Sequence, residues 1–191
     1  MRYLTVVIIF LFIACSSSNS KYPHVEIRTK FGDIEVELYP DKAPKSVAAF
    51  LSYVEAGYYK DASFYRVLNT GNQPSNAPKA ELIHGGIWRK RNKPTVPRIP
   101  HEPTNQTNIL HTDGAISFAR QEPGSAGTEF FICIGDQPGF DYGGDNNPDR
   151  QGYAAFGKVI KGMNVVMKIY SQPEEEQYFN PPLFIYNIVR L

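Results

Sequence analysis

Three residues able to do chemistry stand on stretches that otherwise read as ordinary strand: Arg66 in SFYRVLN, His84 in AELIHGG and Glu129 in GTEFFICIG. A guanidinium stays protonated at any accessible pH and offers five N–H donors in a fixed fork. An imidazole changes charge near neutrality, and a carboxylate accepts hydrogen bonds or pairs with the cation. No serine on a strand-to-helix elbow accompanies them, so the set does not read as a hydrolase. His24, His84, His101 and His111 lack the short spacings of a zinc helix or finger. HEPTNQTNILH is not the zinc-protease pattern, and Pro103 would break a helix there. Neither a metal nor a cofactor is expected.

Side-chain alternation says what surrounds these groups, because a strand sends successive residues to opposite faces. Over residues 63–69, Arg66 shares a face with Phe64 and Leu68, opposite Tyr65 and Val67. Leu82 and His84 share a face against Ile83. Glu129 and Phe131 share another, while Phe130, Ile132 and Ile134 form a continuous apolar stripe suited to a core. The opposite faces then assemble a shallow apolar dish of Leu82 and Phe131, rimmed by Arg66, His84 and Glu129. Periodicity alone does not bring the three strands together.

The elements that must position them are mostly strands. HVEIRTKFGDIEVELYP gives two alternating runs about a glycine-containing turn, a hairpin signature, with Pro40 ending the second run. Further strands are expected near 63–68, 81–87, 114–119, 128–134, 154–160 and 183–190. Val47, Phe50, Leu51 and Val54 fall on one helical face, with Pro44 in the first turn and Gly57 at the stop. Met163, Val166, Met167 and Tyr170 repeat that spacing in a second helix, and the run Glu174 to Glu176 reads as solvated loop. Eight strands with two helices imply a mainly β protein, a closed antiparallel barrel with helices over its ends.

The 191 residues, 42% hydrophobic and 20% charged, suit one globular domain. Residues 1–14 read as a signal peptide: Arg2 precedes an apolar run too short for a bilayer, which needs about 20 residues. The junction Ala14-Cys15 resembles the cleavage site of bacterial lipoproteins, although Phe12 stands where that family favours leucine. On that reading Cys15 carries lipid, residues 15–22 are a tether, and 23–191 form the domain of an exported protein anchored to a membrane and facing the periplasm. A plain signal peptide with a soluble secreted product is the alternative. Cleavage removes Arg2 and balances the mature charge, leaving no electrostatic footprint for nucleic acid. Cys133 is then the only thiol left, so no internal disulfide is possible.

FYRV, HGG, GAISFAR, GTEFFICIGDQP and YAAFGKVIKGMNVV occur in this order and resemble the signature segments of the cyclophilins, a family of peptidyl-prolyl cis–trans isomerases. The resemblance runs from about His24 to Leu191. It implies an eight-stranded antiparallel barrel capped by two helices, in agreement with the strand pattern. It also implies isomerisation of Xaa-Pro bonds in proline-containing polypeptides; the oligomeric state is open, with a monomer as the default expectation. By resemblance, Arg66 is the catalytic arginine, Phe131 the aromatic floor of the proline pocket and Leu82 its methionine wall. Ala119 lies on the backbone segment that pairs with bound peptide, Phe140 on the far wall and Tyr153 near the pocket histidine, while Phe156 is core.

The chain departs from the family at four of these places. His84 replaces the glutamine that steadies the arginine, Glu129 replaces another glutamine, and Glu81 replaces an aromatic. Arg120 replaces an asparagine whose contact is made by backbone. Two expectations follow. Glu129 beside Arg66 would brace it or compete with substrate, so that Glu129→Gln raises turnover. His84 would repel Arg66 when protonated, so that activity falls below about pH 6. The alternative to an enzyme is a cyclophilin-like module that holds proline-containing segments without turning them over.

Overall fold

The computed structural model describes residues 20–191; the expected signal peptide, Cys15 and most of the tether lie outside the described residues. The opening alternation forms the hairpin β1 (His24–Thr29) and β2 (Gly32–Leu38), joined in the register Thr29 to Gly32, with Val25, Ile27, Ile34, Val36 and Leu38 turned inward and buried. After α1 (Pro44–Glu55) come β3 (Ala62–Leu68), β4 (Leu82–Gly86), α2 (Thr104–Thr107), β5 (Ala115–Phe118), β6 (Phe130–Cys133), β7 (Ala154–Lys161), α3 (Met163–Tyr170) and β8 (Tyr178–Arg190). The strands close antiparallel in the order β1-β2-β7-β5-β6-β4-β3-β8, leaving no free sheet edge.

Helix α1 plugs the barrel. Its Val47, Phe50 and Val54 are buried, and the Phe50 ring lies 5.0 Å from Phe156, 5.4 Å from Tyr59 and 6.0 Å from Phe130. Its first turn has no cap of its own. Glu102, from the long loop after β4, accepts hydrogen bonds from the Lys45 and Ser46 amides at 3.2 and 2.7 Å and from Ser46 Oγ at 2.7 Å. Gly57, at φ +70°, turns the chain just past the helix end. Helix α3 buries Val165, Val166 and Ile169. The expected stripe is thus rotated: Val166 is central, Met163 and Tyr170 flank it, and Met167 is exposed.

Two further short turns stand where only connections were expected, α2 and a 3-10 turn at Pro138–Phe140. Pro103 does not interrupt α2 but precedes it at the N-cap, where its missing N–H costs nothing. β8 also begins earlier than expected. Between its pairings of Tyr178 with Arg66 and of Leu183 with Phe64, β8 loops out around Asn180-Pro181-Pro182, which suits residues with no ladder donor.

The same discontinuity revises the reading of SFYRVLN. Phe64 pairs with Gly85 and Arg66 with His84, so Tyr65 is an extra residue in a β-bulge. Phe64 and Val67 both enter the barrel core, while Tyr65 and Arg66 both leave it. Arg66 therefore does not share a face with Phe64, as strict alternation implied; it keeps Leu68.

Candidate active site

Register places the expected groups in one line across the outer face. Phe131 of β6 is opposite His84 of β4, His84 is opposite Arg66 of β3, and Arg66 is opposite Tyr178 of β8. Strands repeat every ~4.8 Å, so Arg66 and Phe131 are about 10 Å apart at their backbones, within side-chain reach.

Around Phe131 a second apolar cluster forms outside the barrel lumen from Ala80, Leu82, Ala115, Cys133 and Phe140, edged by Leu68, Ala119 and Tyr153. The rings of Phe131, Phe140 and Tyr153 are mutually 5.2 Å apart and steeply inclined, giving a three-sided aromatic box. Behind Phe131, His111 stacks nearly parallel at 5.9 Å. Its Nδ1–H donates to Asp141 Oδ1 at 2.8 Å, and Nε2 lies 3.0 Å from Ser117 Oγ. Ser117 is fully buried, so this serine–histidine–aspartate set braces the floor and has no route to a substrate.

Arg66 is half-buried, and its Nε and Nη2 both donate to Gln177 Oε1, at 3.1 and 2.6 Å. The residue steadying the guanidinium is Gln177, from the turn before β8, and neither His84 nor Glu129. Those two belong to a separate network about the bulged Tyr65. The Tyr65 hydroxyl donates to Glu129 Oε2 at 2.7 Å. With its one hydrogen so used, its oxygen accepts from His84 Nε2–H at 3.1 Å, which fixes the imidazole tautomer. Glu129 Oε1 accepts from the Ile87 amide at 3.0 Å and from Thr128 Oγ1 at 3.1 Å. A Cβ at Gly86 would collide with this carboxylate, so the second glycine of HGG makes its room.

Burial raises the Glu129 pKa above the ordinary carboxylate value, against the opposing hydrogen bonds from Tyr65, Ile87 and Thr128. Burial, helped by the positive charge of Arg66, pushes His84 down to about 3. The imidazole is therefore neutral at all physiological pH, and the expected proton-driven repulsion of Arg66 below pH 6 does not arise.

The remaining expected positions divide. Leu82, Phe131, Phe140 and Tyr153 come together in the box. Ala119 borders it, with its N–H already donated to the Glu129 carbonyl at 2.9 Å, so its carbonyl is the group open to a peptide. The Arg120 side chain, only 1% exposed, is tied elsewhere. It pairs with both oxygens of Asp149 at 2.7 and 2.9 Å, donates to the Gly152 carbonyl at 2.8 Å and lies 5.4 Å over Tyr153. It braces the loop carrying Tyr153 and leaves only backbone for a ligand. Glu81 accepts from Tyr170 of α3 at 2.5 Å. Sequence reasoning missed Gln177, hidden behind a run of glutamates, and Tyr65, whose bulge leaves no mark in the alternation.

The chain matches the family model described as cyclophilin type peptidyl-prolyl cis-trans isomerase over residues 24–189. It belongs to that family. A peptidyl-prolyl cis-trans isomerase of Acinetobacter baylyi is 38% identical over 151 residues, 78% of this chain and 72% of that one. Peptidyl-prolyl cis-trans isomerase A of Dickeya dadantii is 37% identical over 165 residues, 83% and 78% of the two chains. A crystal structure of a cyclophilin type isomerase from Cryptosporidium parvum, 22% identical, superposes with a TM-score of 0.68 over 89% of this chain and 98% of that one. This cyclophilin keeps the barrel, and the details particular to it lie in what surrounds Arg66.

Proposed function

We propose that this cyclophilin accelerates rotation about Xaa-Pro bonds in polypeptides folding outside the cytoplasm, with Arg66 as its catalytic residue. The observation that carries the reading is the row Phe131–His84–Arg66: an apolar box two strands from a fixed guanidinium, on one open face. A related Cryptosporidium parvum structure was determined in the presence of the dipeptide Ala-Pro, which supports proline-containing segments as the ligand of this apolar face.

The physical task is small and specific. Amide resonance holds the Xaa-Pro bond planar behind a barrier of ~18–20 kcal/mol. At the twisted state the prolyl nitrogen regains its lone pair and becomes a hydrogen-bond acceptor. A guanidinium N–H aimed there binds the twisted amide more strongly than the planar one, which is the differential binding that lowers a barrier. Two Arg66 donors are engaged by Gln177, and the rest of the fork is available to substrate. No bond breaks and no proton moves, so neither His84 nor Glu129 is needed as an acid or base.

The deciding experiment is exchange NMR or a protease-coupled assay on an Xaa-Pro peptide with wild type and Arg66→Ala. A charge-assisted hydrogen bond is worth about 1.5–3 kcal/mol, so the variant should lose roughly 10- to 100-fold in kcat/KM. Peptide binding without turnover in the wild type would favour the binding-module reading. Wild-type rates in Arg66→Ala would end the assignment of Arg66. Export and lipidation at Cys15 rest on the sequence of the first residues; among the described residues no helix is long and apolar enough to cross a membrane.

A further inference from the structure

We infer that Gln177 is the positioning residue for Arg66, and that the strained turn carrying it exists to deliver it; this rests on the catalytic reading of Arg66.

The turn is a two-residue hairpin loop. Glu175 and Tyr178 exchange both backbone hydrogen bonds at 2.9 Å, leaving Glu176 and Gln177 as the central pair. Both have positive φ, +49° and +75°, as a type I′ turn requires. Such turns favour asparagine and glycine, because a side chain with a Cβ is disfavoured in left-handed backbone. A glutamate and a glutamine are poor choices for the turn alone. Backbone strain kept at a site is a reason to ask what the strained side chain does.

Here its side chain makes three of the four hydrogen bonds open to an amide. Oε1 accepts from Nε and Nη2 of Arg66, a two-pronged grip that fixes the guanidinium plane as well as its position. Nε2 donates to the Asn72 carbonyl at 2.9 Å, tying the amide to the loop after β3 and setting which end faces the arginine. The backbone is held equally. The Gln177 amide donates to Glu174 Oε2 at 2.5 Å, and its carbonyl accepts from the Val67 amide at 2.8 Å, one residue from Arg66. The charge run Glu174–Glu176 is thus partly structural and not simply solvated, as the sequence suggested.

The geometry permits a separation that few positions allow. Gln177→Gly removes the grip on Arg66 but supplies the residue that the turn prefers. Relief of the left-handed strain offsets part of the lost bonds, so its melting temperature should fall less than that of Gln177→Ala, which keeps the strain, while kcat falls roughly tenfold or more in both with KM little altered, since misplacing a reacting group by about 1 Å can cost ~10²-fold. Gln177→Asn also suits left-handed backbone yet is one methylene too short; it should lose rate in the same way and keeps the test open if the glycine variant folds poorly. Gln177→Glu, which retains an acceptor, should restore part of the rate. The Arg66 Nε–H resonance should be protected from solvent exchange in wild type and lose protection in Gln177→Gly. In an Arg66→Ala background Gln177→Gly should change nothing further. Wild-type kcat in Gln177→Gly and Gln177→Asn, with Arg66→Ala inactive, overturns the positioning role alone. Full activity in Arg66→Ala overturns the catalytic reading instead.

Discussion

Tyr65→Phe is the sharpest test of the network beside the arginine. The substitution removes one oxygen from a buried ring that packs on Trp88 at 5.1 Å and on His84 at 5.0 Å, and alters little else. It takes away the one side-chain donor to Glu129 Oε2 and the acceptor of His84 Nε2–H. A hydrogen bond to an ionised group contributes about 1.5–3 kcal/mol and a neutral one about 0.5–1.5 kcal/mol, so the loss at pH 7.5 should be about 2–4 kcal/mol. For a domain of this size that lowers the melting temperature by on the order of 10 °C. The pH dependence carries the sign. The folded-state pKa of Glu129 is raised above its unfolded value near 4.5, so the native state binds more protons in that window and stability declines as pH rises through it. Removing the Tyr65 donor withdraws support from the ionised form alone and moves the carboxyl higher still. Urea melts should therefore show a large loss at pH 7.5 that shrinks near pH 4.5, where Glu129 takes up its proton. Turnover should fall far less than in Arg66→Ala, because Tyr65 does not touch the guanidinium. Equal destabilisation at both pH values, or a rate as low as that of Arg66→Ala, would refute the placement of the carboxylate.

Five other outcomes are expected. With His84 pushed down to about 3, kcat/KM should be flat between pH 5 and 8, checked by exchange NMR in overlapping buffers. Glu129→Gln should leave the rate within about twofold and not raise it, since its carboxylate makes no contact with Arg66; each 1.36 kcal/mol gained there would instead give a tenfold rise. The 15N shifts of His84 should show its tautomer exchanged, because the amide would donate to Tyr65 and free that hydroxyl to turn toward Nε2. Glu102→Ala should lower the urea midpoint by an amount equal to about 1–2 kcal/mol, as it leaves the first turn of α1 uncapped. Cys15→Ser should move the protein from the membrane fraction to the soluble one if residue 15 carries lipid, read by fractionation and intact mass.

The barrel was legible because its signal is repetitive. Val25, Ile27, Ile34 and Val36 alternate without exception, and Phe130 and Ile132 point inward while Phe131 points out, as a period of two requires. The pocket was legible for a different reason: Leu82, Phe131, Phe140 and Tyr153 follow from the order of segments that resemble the cyclophilins. What escaped was irregular. A bulge adds one residue and shifts the phase, so strict alternation puts Tyr65 on the wrong side. The buried face of α3 runs through Val165, Val166 and Ile169, offset from the Met163–Tyr170 stripe, and helical spacing fits either face of so apolar a helix. Contacts across 111 residues of chain, such as Arg66 with Gln177, have no local signature at all.

The departures at 84 and 129 are linked by hydrogen-bond arithmetic, and the link explains why the arginine is steadied from elsewhere. A buried carboxylate at 129 can only accept, so each oxygen must be given donors. The Ile87 amide and Thr128 hydroxyl serve one oxygen, and the bulged Tyr65 serves the other. Having given its hydrogen to Glu129, Tyr65 can only accept from position 84, and His84 Nε2–H meets that need. His84 is thereby committed to Tyr65 and is not the brace for Arg66. A fixed cation still requires an acceptor, and Gln177 provides it from the far side, across the β8 edge of the row. The bulge makes both arrangements possible at once. It brings Tyr65 and Arg66 out on the same outer surface but turns them to different partners, so a tuned carboxylate and a poised guanidinium stand close together without neutralising one another.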